Sequence, residues 1–576
     1  MLPSLLLFRF FRFLLPPCLL SLVYLYLYPV FHSCGFPSPS SQHASPASCA
    51  FDGAGAPLHT STLPKVAPFR LLTLGDPQLE GDSSLPDTKH AKFPSLGHIW
   101  QDVQAGAYRR AWEDSKENTA LFFTKGIPSV LESYRKRIDL FGNDFYLAHI
   151  YRSVHWYSNP THVTILGDLL GSQWITNEEF ARRSDRFWSR VVVGGEKVPE
   201  AIMNSSTSEI LGVEKSWKNR IINIAGNHDV GYAGDMDDDR VARFETAFGK
   251  ANWDIKFTLP IANETATEQE GHEDIQPVAP PTLRLVNLNS LNLDTPAFST
   301  DLQLKTYTFL NDIITSAQDV EDRTQAIVLL THIPLHKENG TCADGPFFDF
   351  FPSWTGLNVL AGGVKEQNHI SSDVSSSGIL QGIFGLSGNP AAPGGGRGRN
   401  GIILTGHDHV GCDVYHHIKI PTISEMEIGQ ENEEQTQPSW NATRWGAASS
   451  LVDDPNVNGV REVTVRSMMG DFEGNAAFVS GWFDETIGEK GEWRFEVNTC
   501  ALGVQHIWWA VHIGVLLVVA VLIASIVTFI LEERYVQNRR IGKAVDISPS
   551  KEKVRANSEV KKGVDKRDKE VVARRT

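Results

Sequence analysis

Gly226-Asn227-His228-Asp229 closes a short apolar run, residues 220–225, and the pattern recurs along the chain. Gly75-Asp76-Pro77-Gln78 follows 69–74, and Gly167-Asp168-Leu169-Leu170 follows 162–166. Thr331-His332-Ile333-Pro334 follows 326–330, and Gly406-His407-Asp408-His409 follows 401–405. The runs are rich in Ile, Leu and Val, so each reads as a buried strand. Asp, Asn and His are thus delivered repeatedly to strand ends, where α/β folds place their active sites. A single Gly-Asp is a common turn, and a single histidine is usually held by hydrogen bonds. Five such motifs in this order, all at strand ends, form a specific pattern.

Carboxylate, carboxamide and imidazole groups together suit a pair of hard-to-borderline divalent ions. Two ions held about 3.5–4 Å apart can clamp a phosphoryl group and polarise a bridging water. Asp168 is the expected bridging carboxylate. Asp76 and His409 are expected on one ion, and Asn227, His332 and His407 on the other. On a strand, His407 and His409 would point the same way, whereas a turn lets them diverge toward neighbouring ions. These residues point to a two-metal phosphoesterase.

The chain has 576 residues and a net charge of -15. Residues 532–576 hold 14 Lys+Arg against 8 Asp+Glu, a balance of +6, and the first 31 hold only Arg9 and Arg12, +2. The remainder therefore carries -23 (-15 - 6 - 2). A region that acidic is a poor binder of a nucleic-acid backbone, so no nucleic-acid partner is expected. Residues 507–531 form an apolar run of 25, longer than the roughly 20 that a span needs. Trp508 and Trp509 mark one edge and Glu532-Glu533-Arg534 the other. Residues 13–31 are apolar but contain Pro16, Pro17 and Pro29, and read as a signal anchor or a cleaved signal peptide. Positive charge at both ends places both termini in the cytosol and the middle in a lumen. Four sequons fall in that middle region: Asn204-Ser205-Ser206, Asn263-Glu264-Thr265, Asn339-Gly340-Thr341 and Asn441-Ala442-Thr443. The six cysteines make no disulfide scaffold and no CxxC pair. Cys342 and Cys412 each follow a motif expected at the site, so they are either a disulfide or two buried thiols.

Five segments are expected. Residues 1–31 are an N-terminal anchor, 32–67 a Ser/Pro/Ala-rich linker, and 68–500 a lumenal domain. Residues 507–531 are a transmembrane helix and 532–576 a basic cytosolic tail. Residues 102–147 and 178–192 read as helices. Residues 263–281, 391–400 and 429–439 read as surface insertions. Residues 460–468 and 493–497 read as further strands completing the second sheet.

The ordered set resembles the calcineurin-like metallophosphoesterase superfamily, over roughly 69–497. That resemblance implies an α/β fold of four layers, two mixed β-sheets in a sandwich flanked by helices. It implies Asp76, Asp168, Asn227, His332, His407 and His409 as ligands of two divalent ions. It also implies that His228 acts near the leaving-group oxygen, oriented by Asp229. One departure is visible. The superfamily has Asp-x-His in the first motif, where this chain has Asp76-Pro77-Gln78. Gln78 offers a neutral carbonyl oxygen or no bond at all.

A narrower likeness lies in that Asp-Pro-Gln variant, in Gly406-His407-Asp408-His409-Val410-Gly411-Cys412-Asp413, and in Glu462-Val463-Thr464-Val465-Arg466-Ser467-Met468-Met469-Gly470. These resemble the fungal membrane-anchored members that remodel GPI anchors. The resemblance implies a Mn2+-dependent phosphodiesterase, with Fe or Zn as alternative metals, in the endoplasmic reticulum or Golgi membrane. Its implied substrate is ethanolamine phosphate on a mannose of the GPI glycan, and its implied partners are GPI-anchored proteins and their cargo receptors. Two other readings stand beside it: a lumenal phosphoesterase for another small phosphate ester, and a non-catalytic cargo-export adaptor.

Overall fold

All five apolar runs are strands in the computed structural model, which describes residues 3–39, 66–86, 96–260, 279–354, 358–420 and 439–546. They fall into two mixed sheets. From edge to edge, the six-stranded sheet runs Glu492–Val504, Glu473–Asp484, Phe69–Leu74, His162–Ile165, Arg220–Asn223 and Glu196–Lys197. Its last four strands are parallel, and the two long C-terminal strands pair antiparallel. The eight-stranded sheet runs Trp440–Arg444, Cys412–Lys419, Val457–Thr464, Asn400–Thr405, Gln325–Leu330, Thr282–Asn287, Trp253–Thr258 and Thr207–Ile210.

Side chains alternate along each strand between two environments. Phe69 and Leu71 are buried between the sheets with Ile222, Val328, Leu404 and Val479. Leu72 and Leu74 point the other way, into a core shared with helices that include Ile127–Ser158. In the second sheet Ile327 and Leu329 likewise face outward, toward the helix Thr300–Thr315. Burying one such side chain contributes roughly 1.5–3 kcal/mol, and this alternation repeated over both sheets holds the four layers together.

The expected helical stretches form Leu96–Gln104, Tyr108–Leu121, Ile127–Ser158 and Asn177–Arg186. The last is capped by Thr176, whose hydroxyl accepts from the Glu179 N–H at 3.3 Å. Two expectations need correction. The two late strands do not both complete the second sheet. Val457–Thr464 joins it, but Glu492–Val504 is the edge of the first. The cause is Glu473–Asp484, a further strand of 12 residues that pairs with both Phe69–Leu74 and Glu492–Val504.

The second correction concerns 32–67. Its start is no free linker: Cys34 is disulfide-bonded to Cys500. Asn498 donates to the Gly35 carbonyl at 3.1 Å and Ser480 to the Pro37 carbonyl at 2.7 Å. The rest of that linker, 40–65, lies outside the described residues, as do most of the 263–281 and 429–439 insertions. The 391–400 insertion forms the turn Pro393–Gly396 ahead of the strand Asn400–Thr405. Cys342 and Cys412 are disulfide-bonded.

Among the described residues two helices are long and apolar enough to cross a membrane: Pro3–Tyr26, with a stretch of 18 residues of mean hydropathy 1.7, and Gln505–Ile541, with such a stretch of 3.0. The first starts earlier than the expected 13–31, so Arg9 and Arg12 lie inside it and Pro16 and Pro17 are helical. The chain divides into two compact units. One comprises Met1–Leu20 and Ile513–Thr576. Within it the Ser525 hydroxyl donates to the Ser4 carbonyl at 3.0 Å, joining the two helices. The other, Ser21–His512, contains both sheets and all five motifs.

Candidate metal centre

The motifs turn sharply where their strands end. Asp76, Gln78, Asp168 and His407 have φ of 41°, 42°, 50° and 72°. That left-handed region costs a side-chain-bearing residue about 1–2 kcal/mol, a strain that collects at functional sites. The turns swing polar side chains from the sheet faces into one crevice. Glycine makes the crevice narrow enough: a Cβ on Gly226 would lie 2.0 Å from the Asp168 backbone nitrogen and 2.2 Å from its Oδ1.

His332 is fully buried. Its Nδ1 lies 2.7 Å from the Leu166 carbonyl oxygen, which can only accept, so Nδ1 carries the ring proton. Burial lowers its pKa, so the ring is neutral and Nε2 keeps a lone pair. That lone pair faces Asn227 Oδ1 at 3.0 Å and Asp168 Oδ1 at 3.4 Å. Three acceptors converge with no donor among them, an arrangement that calls for a cation. His407 follows the same logic. Its Nε2 donates to the Gln367 carbonyl at 2.9 Å, which leaves Nδ1 bare, and burial and then His332 lower its pKa to about 3.

Asp168, His332 and His407 form a group whose ligand atoms all lie within 4.8 Å of one another and could hold an ion. Asp76, Asp168 and His409 form a second. Asp168 belongs to both, the position a bridging carboxylate needs. Asp76 is buried, and both its oxygens accept from the His407 N–H, at 3.1 and 3.2 Å. Burial, then the neighbouring Asp168 charge, hold its carboxyl well above the usual range. Two carboxylates this close stay ionised together only beside cations. The residues present therefore fit two divalent ions.

Gln78 enters this site through its amide nitrogen. That nitrogen donates to Asp168 Oδ2 at 3.0 Å and to His409 Nε2 at 3.1 Å. It offers N–H, where the superfamily's histidine would offer a lone pair.

The expected partnership of Asp229 with His228 is absent. Asp229 accepts three backbone N–H bonds instead, from Leu169 at 3.1 Å, Leu170 at 2.9 Å and Gly226 at 2.9 Å. It ties the second motif loop to the third. The reason is geometric: Asp229 is fully buried and faces the loop backbone, while His228 lies at the rim. Among the described residues the His228 Nδ1 has no partner, and its Nε2 is 3.8 Å from Asp168 Oδ2. The His228 N–H bonds Asp168 Oδ1 at 2.8 Å.

Several supporting groups carried no sequence signal. The Leu166 and Gln367 carbonyls set the two histidine tautomers, and any residue supplies a carbonyl. Asp294 accepts from the Gln367 side chain at 2.9 Å and from the Ser371 N–H at 3.1 Å, fixing the segment that holds His407. Glu462, by contrast, opens the 462–470 segment quoted from the sequence; behind the His332 loop it is fully buried against Lys337 at 3.0 Å and accepts from the Leu335 N–H at 3.0 Å. A groove of about 280 Å3 opens beside Asp76, Gln78 and His409, walled by Asn143, Asp144 and Met469.

The chain is 30% identical to Protein TED1 of Saccharomyces cerevisiae over 485 residues, covering 77% of this chain and 89% of that protein. It is 24% identical to Metallophosphoesterase 1 of Xenopus laevis over 377 residues, 62% of this chain and 77% of the other. An uncharacterized protein of Schizosaccharomyces pombe is 27% identical over 308 residues, 49% of this chain and 58% of that one. Among solved structures, a dimetal phosphatase from Danio rerio aligns with a TM-score of 0.29 and 10% identity, over 76% of this chain and 100% of that one. No protein-family profile matches the chain.

Proposed function

We propose that this chain, a metal-dependent phosphoesterase that belongs to the calcineurin-like metallophosphoesterase family including Protein TED1, removes ethanolamine phosphate from a mannose of the GPI-anchor glycan. It does so on the lumenal side of an endoplasmic reticulum or Golgi membrane, and so supports export of GPI-anchored proteins through cargo receptors. The observation that carries the chemistry is Asp168, shared by two groups of potential ligands. The substrate rests on the likeness of the Asp76-Pro77-Gln78 variant and of the 406–413 and 462–470 segments to the GPI-remodelling members. Two helices long enough to cross a membrane agree with a membrane-borne substrate.

In this reading Asp76, Asp168 and His409 hold one ion, and Asp168, Asn227, His332 and His407 hold the other. Mn2+ is the assigned metal, with Fe or Zn as alternatives. The ions supply Lewis acidity and lower the pKa of bound water toward neutrality. The chain's own residues orient and move protons. The Leu166 and Gln367 carbonyls hold the His332 and His407 rings with their lone pairs inward. His228, 38% exposed at the rim, faces the leaving-group oxygen and gives it a hydrogen bond or a proton. Asp229 acts on the loops, as its three backbone bonds indicate, and reaches His228 only through the chain.

A non-catalytic adaptor is the second reading, and the observation favouring it is the Gln78 amide N–H among the ligands. Mass spectrometry of GPI glycans from cells lacking the protein tests the first. Ethanolamine phosphate retained on one mannose is the expected result and identifies that mannose. An unchanged glycan would overturn the substrate assignment.

A further inference from the structure

The helix Ile127–Ser158 serves two cavities with two faces. Leu140, Asn143 and Leu147 face the groove beside the metal centre. Phe141, Phe145 and Arg152 line a separate cavity of about 620 Å3. Tyr26, Trp508 and Trp509 complete it, and they belong to the domain-proximal ends of the two membrane-length helices. The volume lies in the range of ligand sites, roughly 300–1,000 Å3.

The lining is strongly apolar for a surface. Phe141 and Trp156 are 56% and 68% exposed. Tryptophans at the end of a membrane helix are ordinary interfacial anchors. Three features exceed that. Trp508 is buried, yet among the described residues its indole N–H has no hydrogen-bond partner. Gly142 admits the Trp509 ring, since a Cβ there would lie 1.7 Å from it, so the wall is closely fitted. Arg152 is exposed and supplies the cation. Among the described residues its guanidinium makes one hydrogen bond, to the Arg190 carbonyl at 3.1 Å, and has no carboxylate partner. His149 adds no charge: burial, then His512, lower its pKa to about 4.

We propose that this cavity binds one anionic glycerophospholipid of the bilayer, with an acyl chain against the aromatic wall and the phosphate on Arg152. Two of the three helices that form its walls, Pro3–Tyr26 and Gln505–Ile541, are long and apolar enough to cross a membrane, so lipid reaches the opening laterally. One cation over an aromatic slot matches an amphiphile with a phosphate at the end of a hydrocarbon chain. This site stands apart from the glycan assignment and does not depend on it.

The test uses the full-length protein in phosphatidylcholine nanodiscs containing phosphatidylserine with a diazirine on its acyl chain. After irradiation, cross-linked peptides are expected to concentrate in 141–156 and 508–512. Arg152→Glu and Trp156→Ala each alter an exposed side chain. Each is expected to cut labelling of those peptides about tenfold, the scale of one charge-assisted phosphate contact or one buried aromatic contact. Metal-dependent hydrolysis of soluble bis(p-nitrophenyl) phosphate, expected to be retained, shows that the variants fold. If either variant misfolds, the other carries the same test. Labelling spread evenly along 513–531 without excess at the cavity overturns the proposal. So does an excess unchanged in a folded variant.

Discussion

The Gln78 amide nitrogen sits 3.0 Å from Asp168 Oδ2 and 3.1 Å from His409 Nε2, between two residues of one metal-holding group. An amide nitrogen has no lone pair for a metal. An ion in that group must turn the amide to present its oxygen, or push it aside. Either way some affinity is lost. Gln78→His replaces the donor with an imidazole, which suits Mn2+ and Zn2+. Calorimetric titration of the metal-free protein with Mn2+ is expected to show one of two ions binding about tenfold tighter. Unchanged or weaker binding would place residue 78 outside the ligand shell.

Asp168 belongs to both groups, so its charge is the one that two ions held there would share. Asp168→Asn keeps the shape and removes the charge. Turnover is expected to fall about a thousandfold or more, while circular dichroism shows a folded protein. Retention of more than about a tenth of the rate would remove Asp168 from the bridging position.

Gly226→Ala tests the fit of the loops without touching a ligand. Its Cβ would meet the Asp168 backbone nitrogen at 2.0 Å, and backbone cannot move aside cheaply. The second and third motifs should separate and Asp168 should leave its position. Elemental analysis of purified protein is expected to find less than two ions per chain. A full complement with normal turnover would show that the loops tolerate the methyl group.

Glu462 supplies a pH dependence whose sign can be worked out. Burial alone would raise its pKa, but Lys337 and His416 outweigh it, and the carboxyl is lowered from 4.5 to about 2. The folded state therefore binds this proton more weakly than the unfolded state. The stabilisation is present above pH 4.5 and is lost as pH falls toward about 2. Its full size is roughly 3 kcal/mol for a shift of that extent. Urea unfolding at pH 7 and at low pH should show this loss in the native protein. Glu462→Gln should lack that component, and should already be destabilised at pH 7 by about 3–5 kcal/mol, because Lys337 is left buried without a counter-charge. Equal stability of the two proteins at pH 7 would remove Glu462 from this role.

What the sequence disclosed and what it hid follow from how local each signal is. Asp76, Asp168, Asn227, His332, His407 and His409 were legible because each belongs to a short motif that directly follows an apolar run. The Cys342–Cys412 disulfide, spanning 70 residues, joins loops that converge for the same reason. Cys34–Cys500 spans 466 residues and has no motif at either end. The strand Glu473–Asp484 is buried on both faces along most of its length, so it lacks the alternation that marks a half-buried strand. The resemblance implied that Asp229 orients His228, whereas its partners in space are three backbone amides, which no side-chain pattern marks. The carbonyls of Leu166 and Gln367 had no signal, since the side chain does not specify that role.

The glycan reading requires the site to face the lumen, and topology is its most direct test. Arg9 and Arg12 lie inside the first helix, so the basic tail, with 14 Lys+Arg against 8 Asp+Glu, carries most of the orientation argument. Sequons add a second, independent line. Asn204, Asn339 and Asn441 are exposed, as a glycosylated residue must be, and Asn263 lies outside the described residues. Glycosidase should therefore shift the full-length protein on a gel. In sealed microsomes a protease should remove little beyond the 45 residues 532–576 and leave the domain intact. A tag ahead of Met1 should be lost with the tail if the first helix stays as an anchor, and should be missing from the mature protein if that helix is cleaved. Destruction of the domain in sealed vesicles would turn the motifs toward the cytosol. A GPI glycan, confined to the other side, could not reach them, and the substrate would have to be a phosphate ester on the cytosolic face.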